Sequence, residues 1–387
     1  METGLNTNLP INRLLEHPTP FYYYDNDLLR STLLAIRKAS AGMPSIIHYA
    51  VKANGNARIL GEIFKAGLGA DLVSGGEIKA ALAAGCPPQA MTFSGVGKAD
   101  WEIRLGLENE IGCFNVESIP ELQVINQIAL EMDKVANVAI RVNPDIDAHT
   151  HRYITTGTAD NKFGISLEDL SAVIDMALGM SHVHLRGLHF HIGSQITDMQ
   201  PYVMLCETIN RLQDEFTQRG IAFELINVGG GLGVDYAAPE LHPIANFEQY
   251  FNVFRHHLIL RPGQSLHFEL GRSIVAQCGS LLSRVLYVKE NRGKRFAILD
   301  AGMTDLIRPA LYQAHHSIMC LTSTSTDMDT YDIVGPVCES SDTFAHDCEL
   351  PVMQRGDLVA IRSAGAYGQS MASAYNMRAL PPAVFSD

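Results

Sequence analysis

A chain of 387 residues, 47% hydrophobic and only 18% charged, can bury a large core; this excludes an extended disordered protein and fits one large domain with a smaller one. The formal net charge of −13, without any basic run and with a single Trp, excludes nucleic acid and anionic lipid as expected partners, because phosphates repel an acidic surface. Seven widely spaced cysteines with no C-x-x-C exclude a disulfide framework and a structural zinc site, so no metal is expected. The N-terminal stretch lacks a basic start followed by an apolar run, and no apolar run reaches the roughly 18–20 residues that span a bilayer. The expectation is a soluble, cytoplasmic protein with no membrane partner.

In chain order, Phe21–Tyr24 is aromatic and strand-like. Eight further strand-like runs follow: Ile47–Val51, Ala70–Val73, Met91–Ser94, Gly112–Val116, Val138–Val142, Leu185–His191, Phe223–Val228 and Leu266–Glu269. Most are continuously apolar, as parallel strands buried on both faces are. Helical spacing fills the gaps at Ile59–Ala66, Glu77–Ala84, Ser166–Met180 and Tyr202–Gln218. Ser118-Ile119-Pro120-Glu121 reads as a capping box opening a helix to about Met132. Eight β/α units in about 245 residues predict an α/β fold built on a (β/α)₈ TIM-type barrel over 28–272. After Arg272 come Gly- and Pro-punctuated β-rich runs at Leu281–Val288, Arg295–Leu299, Tyr331–Val334 and Leu358–Arg362. They predict a C-terminal β-sandwich or barrel domain, discontinuous if Phe21–Tyr24 joins it: 1–27 with 273–387.

Active sites of such barrels lie at the C-terminal strand ends. Those ends carry Lys52, then Asp71 and Ser74, then His189 and His191, then the turn Gly229-Gly230-Gly231-Leu232-Gly233, and last Glu269, Gly271 and Arg272. That set suits an anionic cofactor with a reactive carbonyl. Lys52 sits in an otherwise uncharged run, and a lysine enclosed there becomes a usable amine nucleophile. Bare N–H groups of the glycine turn can hold phosphate oxygens. Alternation puts His189 and His191 on one strand face and leaves their ranking open. The polar, Thr- and Gly-rich loop His149–Phe163 is a lid or an ordinary surface connection.

The motifs YAVKAN (Tyr49–Asn54), HFHIGSQ (His189–Gln195), NVGGGLG (Asn227–Gly233), ELGR (Glu269–Arg272), DAGMTDLIRPALY (Asp300–Tyr312), GPVCESSD (Gly335–Asp342) and SAGAYG (Ser363–Gly368) occur in order over essentially the whole chain. Together they resemble the diaminopimelate decarboxylase family of fold-type III, alanine-racemase-like enzymes that use pyridoxal 5'-phosphate (PLP). The resemblance implies decarboxylation of meso-2,6-diaminopimelate at its D-centre to L-lysine and CO2. It implies Lys52 as the lysine joined to the cofactor aldehyde, with Asp71 beside the cofactor. His191 resembles the ring-stacking histidine, with Ser194 near it. Gly229, Gly230 and Gly231, the backbone at Gly271 and Arg272, and Tyr367 are implied to hold the phosphate, and Glu269 to pair with the pyridine nitrogen. Arg272, Arg308, Tyr312, Glu339 and Tyr367 resemble the substrate-binding set, and Cys338 the proton donor. In the family Cys338 and Glu339 reach the partner subunit's site, which implies a homodimer with shared active sites. Leu270 departs from the proline often found there, which would only stiffen the turn.

Glu269 favours decarboxylation over racemisation, since a carboxylate keeps the ring nitrogen protonated whereas a racemase prefers a cation. The alternatives are a related ornithine, arginine or carboxynorspermidine-type decarboxylase, and a non-catalytic PLP-binding homologue. The first leaves Arg308 without a distal carboxylate. The second is expected to lose Lys52 or Cys338, and both are present.

Overall fold

The structure is a computed structural model, and it describes residues 9–146 and 162–387. By contacts the chain divides into two compact units, one of Leu33–Gly233 with Asn246–Gly271, the other of Met1–Thr32, Val234–Ala245 and Arg272–Asp387. The sequence boundary at 28–272 leaves Val234–Ala245 in the barrel. Its contacts lie elsewhere: the Tyr236 hydroxyl accepts a hydrogen bond from Arg272, and Glu240 pairs with Arg362 at 2.7 Å.

Strand β1 (Phe21–Tyr24) comes first. The barrel follows as β2 (Ser45–Ala50), β3 (Gly69–Leu72), β4 (Met91–Phe93), β5 (Cys113–Val116), β6 (Ala136–Arg141), β7 (Val183–His189), β8 (Leu225–Asn227) and β9 (Ser265–Leu270). These eight strands close on themselves, each parallel to its neighbours, with β9 returning to β2. Every expected barrel strand is present. β3, β4, β5 and β8 are buried along their whole length, which is why their sequences are apolar without alternation except for one polar residue in each, Asp71, Thr92, Asn115 and Asn227. Behind β9, the helices Gln200–Gln218 and Phe247–His257 pack Tyr202, Tyr250, Phe251 and Phe254 around Phe268, with ring centroids 4.9 to 5.8 Å apart. Edge-to-face packing of this kind adds to simple burial.

Two local expectations are corrected. At the helix Ile119–Glu131, the Ser118 hydroxyl accepts from the Glu121 N–H, as a capping box requires. The Glu121 carboxylate, however, accepts from the Glu117 N–H and from buried Lys98, which outcompete the helix cap for it. The helix expected from Ser166 starts at Leu170, because the Ser166 hydroxyl accepts the Asp169 N–H and donates to its carboxylate, closing a turn first.

The second unit is one hydrogen-bonded, mostly antiparallel sheet of eight strands: β1 with β10 (Gly279–Asn291), β11 (Lys294–Leu299), β12 (Ile318–Cys320), β13 (Met328–Val334), β14 (Thr343–Pro351), β15 (Leu358–Ile361) and β16 (Ala383–Phe385). β10 is the shared strand. Its first part lies between β1 and β15, and after a bulge at Val285–Tyr287 it pairs with β11. A long strand serving two partner sets in this way is how sandwich-like folds turn their corners. β1 joins this sheet as expected. The short or strongly polar strands β12, β14 and β16 carried no readable signal.

Candidate active site

The barrel constellation begins at Lys52. β2 ends in a tight turn, Val51–Ala53, that carries the lysine. The Tyr49 hydroxyl donates to the Asn54 carbonyl at 2.9 Å, so the two ends of the YAVKAN motif pin this turn, and Asn56 just beyond it caps the next helix. The lysine is not enclosed as its flanking sequence suggests. Its side chain is 38% exposed, and its Nζ lies 2.7 Å from Asp71 Oδ2, a carboxylate only 1% exposed. Lys52 therefore reaches out of an apolar run toward a buried counter-charge.

From Asp71 a continuous hydrogen-bond chain crosses the barrel. Ser94 Oγ donates to Asp71 Oδ1 at 2.9 Å, Asn115 Nδ2 donates to Ser94 Oγ at 2.9 Å, and the same amide reaches Glu269 Oε1 at 3.0 Å. Asn227 Nδ2 donates to that oxygen at 2.7 Å, and His189 Nε2 lies 3.0 Å from Glu269 Oε2. Burial opposes charge on Glu269, but His189 above all, with Lys52 and His191, outweighs it and holds the carboxyl well below the usual carboxylate range. At Asp71 burial wins instead, reinforced by Glu269, and the carboxyl is pushed up against the pull of Lys52.

The two histidines separate in the fold. His189 is buried inside β7 and belongs to Glu269. His191 lies beyond the strand end, where its Nδ1 accepts the Gly230 N–H at 3.3 Å. Burial, Arg141 and Lys52 push its pKa down to about 3, so its ring is neutral at pH 7. Ser194 is half-buried in the following turn, and Ser74 is simply the cap of the helix Gly75–Ala83.

The glycine turn differs from the expectation of bare N–H groups. The Gly229 N–H donates to Asn227 Oδ1 at 2.9 Å and the Gly230 N–H to His191. Close packing is what demands glycine: a Cβ at Gly230 would lie 1.8 Å from the Glu269 carbonyl oxygen, and one at Gly229, where φ is +68°, 2.3 Å from that of Phe190. At Gly271 the nearest neighbours would be the Cβ atoms of Ala50 and Ala53, at 3.0 and 3.1 Å.

In the second unit, Arg272 and Arg308 are both buried. Arg272 Nη1 donates to the Tyr236 hydroxyl at 2.8 Å, and its guanidinium lies 4.9 Å from the Tyr367 ring centroid. Arg308 Nη1 donates to His316 Nε2 at 2.8 Å, and its guanidinium lies 4.7 Å from the Tyr236 ring centroid. Tyr312 closes the short helix Arg308–Tyr312 and is half-buried. Tyr367 sits at φ +54°. Cys338 is the exposed one among the seven cysteines, all free; burial pushes the thiols of Cys86, Cys113, Cys206 and Cys278 up to about 12. Glu339 Oε1 accepts from the Tyr375 hydroxyl at 2.8 Å. The loop His149–Phe163 lies outside the described residues except at Lys162 and Phe163.

Ser94, Asn115, Asn227, Tyr236 and His316 escaped the sequence reading as site residues. A polar side chain inside an otherwise apolar barrel strand, as Asn115 is in Cys-Phe-Asn-Val, is the signal that marks the barrel members. Among the described residues there is no cluster suited to a metal ion, and no helix is long and apolar enough to cross a membrane.

An amine beside a buried acid, a neutral imidazole and an ionised carboxylate locked by three donors fit a cofactor with an aldehyde and a basic ring nitrogen. The comparisons with known proteins agree. The model of the pyridoxal-dependent decarboxylase family, pyridoxal binding domain, matches residues 28–276. The diaminopimelate decarboxylase of Bacteroides thetaiotaomicron is 58% identical over 98% of both chains. That of Zymomonas mobilis is 43% identical over 94% of this chain and 87% of its own. The crystal structure of the Helicobacter pylori diaminopimelate decarboxylase complexed with L-lysine superposes with a TM-score of 0.90 at 40% identity, over 97% of this chain and 94% of that one. This chain thus belongs to the pyridoxal-dependent decarboxylases and, among them, to the diaminopimelate decarboxylase family.

Proposed function

We propose that the protein decarboxylates meso-2,6-diaminopimelate at its D-centre, with PLP as cofactor, giving L-lysine and CO2. The observation that carries the reaction class is Glu269, ionised in the barrel under three hydrogen-bond donors. Bound PLP supplies a ring that accepts the electron pair left behind when the Cα–carboxylate bond breaks. Lys52 presents the primary amine that the cofactor aldehyde requires, with Asp71 orienting it. Glu269 keeps a proton on the ring nitrogen, since opposite charge favours the charged form. Neutral His191 offers a flat face to the ring without competing for its charge. The N–H groups of Gly229 and Gly230 are taken by Asn227 and His191, so these two glycines shape the turn, while Gly231, Gly271, Arg272 and Tyr367 are the groups left to hold the phosphate, with Ser194 lining the same end.

Cys338 returns a proton to Cα. It is exposed, as a group that serves a partner's site must be before assembly. With Glu339 it acts across a homodimer, each subunit completing the other's site, and the enzyme works in the cytoplasm. The substrate's unreacted end carries a carboxylate and an ammonium. Arg308, Arg272 and Tyr312 take the carboxylate, and Glu339 the ammonium. Ornithine lacks that carboxylate.

Purified protein supplied with PLP should release CO2 and L-lysine in equal amounts from meso-diaminopimelate. Faster turnover of ornithine would overturn the substrate. Lys52→Ala should lose both turnover and the visible cofactor band. Cys338→Ala should keep the band and lose most turnover; full activity in that variant would remove Cys338 from the reaction.

A further inference from the structure

Arg308 carries a buried charge that no carboxylate balances among the described residues. Its Nε is also buried without a hydrogen-bond partner. Two neutral side chains hold it. His316 Nδ1 lies 2.8 Å from the Arg362 carbonyl, which only accepts, so Nδ1 carries the hydrogen and Nε2 is the bare nitrogen that takes the Arg308 Nη1 hydrogen. Burial and Arg308 push the His316 pKa down to about 3, which preserves that acceptor at pH 7. The Tyr236 ring lies under the Arg308 guanidinium, meets the His316 ring edge-on at 5.0 Å, and through its hydroxyl accepts from Arg272. One tyrosine thus touches both arginines and the histidine.

Neutral partners fix the position of a guanidinium without cancelling its charge. A carboxylate partner would do both, and would leave nothing for an anionic ligand. We propose that Tyr236 and His316 are positioning residues that hold Arg308 for the carboxylate at the substrate's unreacted end, and so set the preference for ligands that carry it. The inference rests on the function proposed above.

The test compares L-lysine, which keeps that carboxylate, with cadaverine, which lacks it, by calorimetric titration of the holoenzyme. The wild-type protein should prefer L-lysine. Tyr236→Leu and His316→Leu should each lower L-lysine affinity about 10-fold, leave cadaverine affinity and the cofactor band unchanged, and raise KM for diaminopimelate with kcat nearly constant. Tyr236→Phe, which keeps the ring, and His316→Gln, which restores an acceptor, should recover most of the loss. An unchanged L-lysine to cadaverine ratio in both leucine variants would overturn the inference, as would equal losses for the two ligands. A wild-type protein without preference for L-lysine would instead defeat the functional reading beneath it.

Discussion

Glu269 meets three donors from three strands, and two of them, Asn115 and Asn227, have a second task. Asn227 illustrates this: its amide nitrogen holds the carboxylate while its oxygen takes the Gly229 N–H. Removing it loosens both the charge and the turn. Asn227→Ala is expected to lower kcat on the order of 10-fold and to weaken PLP binding in parallel, because networks of this kind lose more than one contact at a time. Spectral titration with PLP and steady-state rates would reveal it, and a drop in kcat with unchanged PLP affinity would assign Asn227 to Glu269 alone. Asn115 and Ser94 join Lys52 and Asp71 to the same carboxylate, so the amine and Glu269 share one hydrogen-bond chain. None of these links has a local sequence signature, since Lys52 and Glu269 stand 217 positions apart.

At the scale of elements, glycine has opposite consequences in two places. In the turn after β8, a Cβ at Gly230 would meet the Glu269 carbonyl oxygen at 1.8 Å, and backbone cannot swing aside. Gly230→Ala should therefore cost about 1–3 kcal/mol and weaken cofactor binding, because overpacking forces the strands apart. In the helix Ala57–Lys65, a Cβ at Gly61 would meet nothing within 4 Å. Gly61→Ala should stabilise the protein by up to about 1 kcal/mol, the helix-propensity difference between the two residues. Denaturant melts of both variants check the pair: the two midpoints should move in opposite directions. The GGGLG run was recognisable as a turn from its composition. That its glycines answer to neighbouring strands rather than to open N–H groups depends on where those strands lie.

At the scale of the whole molecule, acid sensitivity follows from buried neutral histidines. Burial, with like charges nearby, pushes His191, His267 and His316 down to about 3, and burial lowers His48 as well. Once unfolded, each takes a proton near 6.5. Between those values the unfolded chain binds more protons than the folded one, so stability rises with pH across the window and falls as pH drops from about 6.5 toward 3. His48 and His267 show why the neutral form is required. His48 Nδ1 faces the Ala90 carbonyl and its Nε2 faces His267 Nδ1 at 2.9 Å, so only one hydrogen fits between the rings. Melting the cofactor-free protein at stepwise lower pH should give a steadily falling midpoint below about pH 6.5. His267→Asn should flatten that slope by about one proton, and an unaltered slope would free the pair from the acid response.

The amino-acid sequence by itself determined the eight barrel strands, the later β-rich runs and the family, because apolar runs, turn residues and ordered motifs are properties of neighbours along the chain. Tertiary structure alone decided that His189 rather than His191 serves Glu269, that Lys52 is paired with Asp71 rather than enclosed, and that Tyr236 and His316 hold Arg308. Those facts are distances between side chains far apart in sequence. They exist only once barrel closure and sheet pairing have fixed where each strand end points.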